Sequence, residues 1–228
     1  MKAVALEAIR DETRVADEDY LDRVAEAFAR VIDAKSPWTY CHSTGVADIS
    51  VAVARAMGRS ESEVDTLRRA ALLHDLGKLG VSNLILDKPG RLTDREMKAV
   101  RRHPEHTQQI LARVGCLRPL AEIAASHHER LDGAGYHRGL TASSLDTATR
   151  ILCAADICDA LLATRPYRPG LPPERVIHIM RREAGTAIDA ACFDALCTVL
   201  VGEAGERRNE APAVEFVRAL AEDYHQAA

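Results

Sequence analysis

Aromatic residues are scarce in this 228-residue chain: three Phe, five Tyr and one Trp make up 4% of it, against 47% hydrophobic residues in all. A core with so few rings must be built from Ala, Leu, Val and Ile, a mixture that favours helices over sheets. Alternating apolar and polar residues, the mark of a half-buried strand, are missing over any useful length. There is no basic excess either, with 30 Lys and Arg against 34 Asp and Glu and a net charge of −4. That balance argues against a scaffold for a DNA or RNA polymer, which carries a basic stripe; an anionic small ligand needs only local positive charge. No stretch approaches the ~20 apolar residues of a membrane span, and the N-terminus lacks a signal-peptide core. The six cysteines form no CxxC pair and read as small buried hydrophobes of a reducing compartment, Cys41 beside His42 included. The expected setting is the cytoplasm, away from membranes.

What is present is a series of amphipathic helical segments. Leu21, Val24, Ala25, Phe28, Val31 and Ile32 recur at helical spacing over about 18–33, an apolar face for the core or a partner subunit. A second helix runs through Val46, Ile49, Val53 and Met57 to Gly58, with His42 in its first turn. Ser60 and Glu63 form a capping box for a third, through Val64, Leu67, Ala71 and Leu72. Gly77, Gly80, Pro89 and Gly90 mark a shaped loop, and Thr93 with Glu96 caps a short helix before His103. Pro104 and Pro119 stand where further helices begin. Others are expected at about 150–162, 173–182, 189–201 and 214–224. The fold class is all-α. The chain divides into an N-terminal amphipathic helix (1–36), a main domain (37–201) and a C-terminal linker and helix (202–228), whose terminal helices could also join two copies as a homodimer.

Seven donors stand out: His42, the pair His74-Asp75, His103, the pair His127-His128, and Asp156. Nitrogen and carboxylate oxygen donors suit first-row divalent metals. The intervals between them, 24 to 32 residues, place each on a different expected helix. Seven donors are too many for one ion that must also hold a substrate; they suit two metals sharing Asp75 as a bridge, the arrangement that cleaves phosphate esters. His106, His178 and His225 stand apart and read as ordinary surface or core histidines.

The sequence around these donors is specific: AALLHDLGKLG about His74 and ASHHERLDGAGY about His127. Here the chain resembles the HD superfamily of metal-dependent phosphohydrolases, and within it the HD-GYP branch, over about residues 33–189. The resemblance implies an HD-domain helical bundle around a binuclear metal site, holding iron or manganese. His42, His74 and Asp156 would complete one metal and His103, His127 and His128 the other, with Asp75 between. It implies a phosphodiesterase that opens a cyclic dinucleotide, chiefly cyclic di-GMP, by a hydroxide bridging the metals, with signalling or regulatory proteins as further partners. Matching the motifs places Lys78 and Tyr136 at a phosphate or sugar, and Arg165 and Arg168 of RPYR on the dinucleotide.

Three positions depart from the pattern. His137 replaces the proline of Gly-Tyr-Pro, which predicts a less rigid substrate loop. Trp38 stands where members with a third metal carry a glutamate, so two metals are expected. Thr107 occupies a position usually held by glycine. Two other readings stay open: an HD hydrolase of another nucleotide phosphoester, and a weakly active dinucleotide sensor or interaction module, for which His137 is the main support.

Overall fold

A computed structural model describes residues 17–36, 41–164 and 169–206. Ten α-helices lie among them, with no strand beyond the isolated bridges Asp132–Thr141 and Ala184–Ile188. No helix among them is long and apolar enough to cross a membrane. The first three are α1 (Glu18–Asp33), α2 (His42–Ala56) and α3 (Glu61–Leu73). After a 3-10 turn over Leu76–Gly80 come α4 (Asn83–Leu86), α5 (Asp94–Val100), α6 (His103–Leu111) and α7 (Ala121–Ala125). Then α8 (Thr147–Leu162), α9 (Pro173–Met180) and α10 (Ala190–Glu206) complete the described chain.

Local chemistry sets the helix ends. Ser60 and Glu63, and Thr93 and Glu96, form reciprocal capping boxes as their spacing predicts. The loop expected after Gly77 holds the short α4, begun by Ser82 accepting the Leu84 N–H. α8 starts three residues before the expected Arg150, because Asp146 accepts the Thr149 N–H and caps it. α10 runs on to Glu206, across the boundary expected after residue 201. The helix expected at 214–224 lies outside the described residues.

The core is aliphatic, with Leu67, Leu72, Leu73, Leu111, Ile151, Leu152 and Leu196 fully buried and Phe193 its one large ring. Ala70, Ala71, Ala154 and Ala155 are buried as well, which lets α2 pack closely against α3 and α8. α1 packs on α3 of its own chain through Ala25, Ala29 and Ile32. Arg69 of α3 ties that contact, reaching Asp22 at 2.6 Å and the Glu18 carboxylate. The apolar face of α1 is narrower than the sequence suggests, since Phe28 and Val31 are exposed. Cys153, Cys158 and Cys192 are buried as expected, but Cys41 and Cys116 are exposed. Cys41 precedes α2 in a left-handed conformation (φ 56°), which turns the chain into His42.

Candidate metal centre

The seven donors come from five different helices, as their spacing predicts, and six of them stand at helix ends. His42 opens α2 and His103 opens α6. His74-Asp75 follows the end of α3, and His127-His128 follows the end of α7. Only Asp156 sits inside a helix, α8.

The last carbonyls of a helix have no intrahelical partner, and three histidines use them. Nδ1 of His74 donates to the Ala71 carbonyl at 2.6 Å, His103 to Val100 at 2.7 Å and His127 to Ala124 at 2.6 Å. A carbonyl only accepts, so each ring carries its proton on Nδ1 and turns a bare Nε2 inward. His42 is oriented by another route: its Nδ1 meets the Asp159 carboxylate at 2.5 Å, and its Nε2 lies 3.2 Å from Asp156 Oδ1.

These nitrogens sort onto the two oxygens of Asp75. Oδ2 lies 3.4 Å from His74 Nε2 and 3.7 Å from His42 Nε2. Oδ1 lies 3.2 Å from His103 Nε2 and 3.8 Å from His127 Nε2. His128 stands behind, with Nδ1 3.6 Å from Asp156 Oδ2. Two clusters result, His42–His74–Asp75 and His103–His127–His128, each with donor atoms within 4.8 Å of one another.

The donor set fits divalent cations on three counts. His74 Nε2 and Asp75 Oδ1 are buried without a hydrogen-bond partner, a costly state that a cation would relieve. His103 Nε2 and His127 Nε2 approach to 3.0 Å although both rings carry their proton on Nδ1, so two lone pairs face each other. Burial lowers the pKa of His74, drives that of His127 far down, and brings His128 to about 4, so these rings are neutral, as metal ligands must be.

The carboxylates are ionised. Burial pushes the Asp75 carboxyl up, but the Lys78 ammonium and the His74 and His103 rings outweigh it and hold it well below the usual range. Asp156 is likewise held low against its burial, chiefly by its hydrogen bond to His42. Burial opposes the charged form of His42, yet its bonds to Asp156 and Asp159 prevail and raise it to about 10. In the metal-free chain His42 is therefore protonated on both nitrogens and positively charged.

Close approach makes this packing possible. A Cβ on Gly77 would stand 1.9 Å from the His103 carbonyl oxygen, so only glycine lets the turn after Asp75 seat on α6. Thr107 fastens the same turn, its hydroxyl donating to the His74 carbonyl and accepting the Gly77 N–H, both at 2.9 Å.

Of the expected substrate contacts, Lys78 lies with Nζ 2.5 Å from Asp75 Oδ2. Tyr136 stacks on His128, ring centroids 4.5 Å apart. Its loop is held by the buried Glu129 carboxylate, which accepts the N–H groups of Arg138 and Leu140. Arg165, Arg168 and Trp38 lie outside the described residues. The sequence reading missed Asp159, Glu129 and Arg101, whose guanidinium lies 5.3 Å from the Tyr136 ring centroid. Asp159 had a legible signal, since it follows Asp156 by three residues and so shares its helix face.

Comparison with known proteins agrees with this geometry. The HD-domain family profile matches residues 26–192, and divalent metals are what that family uses. A curated relative, the 3′3′-cGAMP-specific phosphodiesterase 3 of Vibrio cholerae, is 48% identical over 180 residues, 79% of this chain and 39% of the relative. The cyclic di-GMP phosphodiesterase response regulator RpfG of Xanthomonas campestris is 34% identical over 206 residues, 86% of this chain and 52% of the relative. A solved cyclic GMP-AMP-specific phosphodiesterase from V. cholerae superposes with a TM-score of 0.53 at 44% identity, covering 81% of this chain and 42% of that one. The chain thus spans about two fifths to one half of the length of these relatives.

Proposed function

The chain belongs to the HD-domain family, in its HD-GYP branch, and from that premise we propose that it hydrolyses a 3′3′-cyclic dinucleotide at two divalent metals held by the seven donors. The observation that supports it most is the sharing of Asp75: His42 and His74 address one carboxylate oxygen, His103 and His127 the other. In this reading His42, His74 and Asp156 hold one metal and His103, His127 and His128 the second, with iron or manganese the favoured ions. Bound there, the metals would supply an activated water and offset charge on the phosphoryl oxygens.

The chain's own residues do the rest. Asp75, fixed by burial and by Lys78, sets the spacing of the two subsites. Lys78 adds a positive point charge at the edge of the centre, placed to meet a phosphate. Tyr136, stacked on His128, offers a hydroxyl for a phosphate or sugar. Arg165 and Arg168 are assigned the second phosphate, and Arg165→Ala should mainly raise KM, because a charge on a remote phosphate contributes uniform binding. In this reading the reaction takes place in the cytoplasm.

Cyclic di-GMP is the substrate the sequence motifs suggest. The relative at 48% identity, named as specific for 3′3′-cGAMP, makes the mixed dinucleotide the second reading and the first to be assayed. Protein purified without oxygen should carry two metal equivalents and cleave at least one of the two dinucleotides. Three equivalents, or turnover only of mononucleotide esters, would refute the reading; tight binding without turnover would make the chain a sensor.

A further inference from the structure

His137 is the described non-glycine residue furthest into the left-handed region, with φ 98°. It follows Tyr136 directly, and its ring is not idle. His137 Nε2 meets Gln108 Oε1 of α6 at 3.1 Å, and the Gln108 amide donates to Glu122 Oε1 of α7 at 2.7 Å. Glu122 Oε2 in turn accepts from Arg138 Nη1 at 2.6 Å, and Arg138 Nη2 reaches Ser126 Oγ at 2.6 Å. A closed polar chain therefore runs from the loop to α6, to α7 and back to the loop, one residue from Tyr136.

Below this chain the loop has no slack. A Cβ on Gly135 would lie 2.5 Å from Glu129 Cα and 2.6 Å from the His128 carbonyl oxygen. The Tyr136 N–H donates to that same carbonyl at 3.2 Å. The Tyr136 ring lies on His128 with the next residue turning the chain away through positive φ. Proline cannot make that turn, because its ring fixes φ near −65°. Strain of this kind persists only where surrounding contacts hold it, and it gathers at functional sites.

We propose that His137, latched to Gln108 and through it to Glu122, is a positioning residue that holds Tyr136 against His128 for substrate binding. The loop is made rigid by side-chain hydrogen bonds and a left-handed turn, with no need of a proline. This rests on the phosphodiesterase reading, in which Tyr136 touches the substrate, but the loop geometry can be read without turnover. The further consequence is that proline, the residue the family motif would call for at position 137, is harmful in this chain.

The test compares metal-loaded wild type with His137→Pro, His137→Gly and Gln108→Ala. Amide hydrogen exchange is followed at Tyr136, Arg138 and Leu140, and KM and kcat are measured for 3′3′-cGAMP and cyclic di-GMP. His137→Pro should speed exchange at all three amides at least tenfold and raise KM at least tenfold, with two metal equivalents retained. His137→Gly keeps the turn but loses the latch, so it should fall between wild type and His137→Pro and match Gln108→Ala. Gln108→Ala cuts the latch without touching the loop backbone, and should raise KM several-fold even if the proline variant does not fold. Wild-type exchange and KM in both His137→Pro and Gln108→Ala would overturn the proposal, as would a glycine variant as damaged as the proline one. A wild type that cleaves neither dinucleotide sinks the phosphodiesterase reading instead, and leaves the exchange measurements to decide the latch.

Discussion

Removing Asp159 should weaken one metal subsite and spare the other. Three of the inward-facing histidines are oriented by main-chain carbonyls, which substitution cannot delete. His42 alone depends on a side chain, with Asp159 Oδ2 2.5 Å from its Nδ1. A carboxylate behind a ligand imidazole fixes its tautomer and raises its basicity, and losing such a partner costs about 10- to 100-fold in metal affinity. That is about 1.4 to 2.8 kcal/mol. Asp159→Asn keeps an acceptor for the Nδ1 proton and loses only the charge, so it belongs at the lower end. Asp159→Ala loses both and belongs at the upper. Gly45 gives a second way to reach the same carboxylate, because a Cβ there would lie 2.1 Å from Asp159 Oδ1. Gly45→Ala must therefore push Asp159 off His42 and should copy the Asp159→Ala defect. The assay is titration of metal-free protein against a competing chelator, with metal content read after dialysis. One of two equivalents should weaken in all three variants, in the order Asn before Ala. Equal loss of both equivalents would mean that Asp159 supports the whole centre, and unchanged affinity would mean that His42 needs no orienting partner; either result refutes the argument.

Three further outcomes follow from the same contacts. The folded pKa of His42, about 10, lies above its ordinary 6.5; its contribution to the metal-free chain is complete below pH 6.5 and lost as pH climbs through 10, so Tm should fall over that interval. A flat or rising Tm in metal-free protein would rule this out. Gly77→Ala drives a methyl into the His103 carbonyl, an overpacking that main chain cannot relieve and that should cost about 3 kcal/mol or more, or roughly 6–12 °C in Tm. Thr107→Val leaves the buried Gly77 N–H without its acceptor, at about 1–3 kcal/mol; a variant melting with wild type would show that the hydroxyl is dispensable.

The sequence announces the donors and hides the scaffold that aims them. His74, Asp75, His103, His127, His128, His42 and Asp156 could be picked out because their residue types are chemically narrow and their neighbours specific; four of the rings meet at the Asp75 carboxylate, Asp156 lies against His42, and His128 against Asp156. Capping boxes at Ser60 and Thr93 were legible for the same reason, since each is a local exchange of two hydrogen bonds three residues apart. What orients the donors is set by packing between distant segments. Thr107 holds the His74 turn across 33 positions, which leaves no periodic trace, and Asp159 meets His42 across 117; its place on the Asp156 face was legible, but its partner was not. The width of the apolar face on α1 was misjudged because periodicity cannot tell which part of a stripe finds a partner, and Phe28 and Val31 find none among the described core. His137 shows the same limit most sharply. As a letter it suggests a loop weakened by the loss of proline, but the sign of that inference depends on φ. At φ 98° a proline would break the turn it is expected to stiffen. A substitution away from a family motif can therefore be judged only with the backbone conformation it serves.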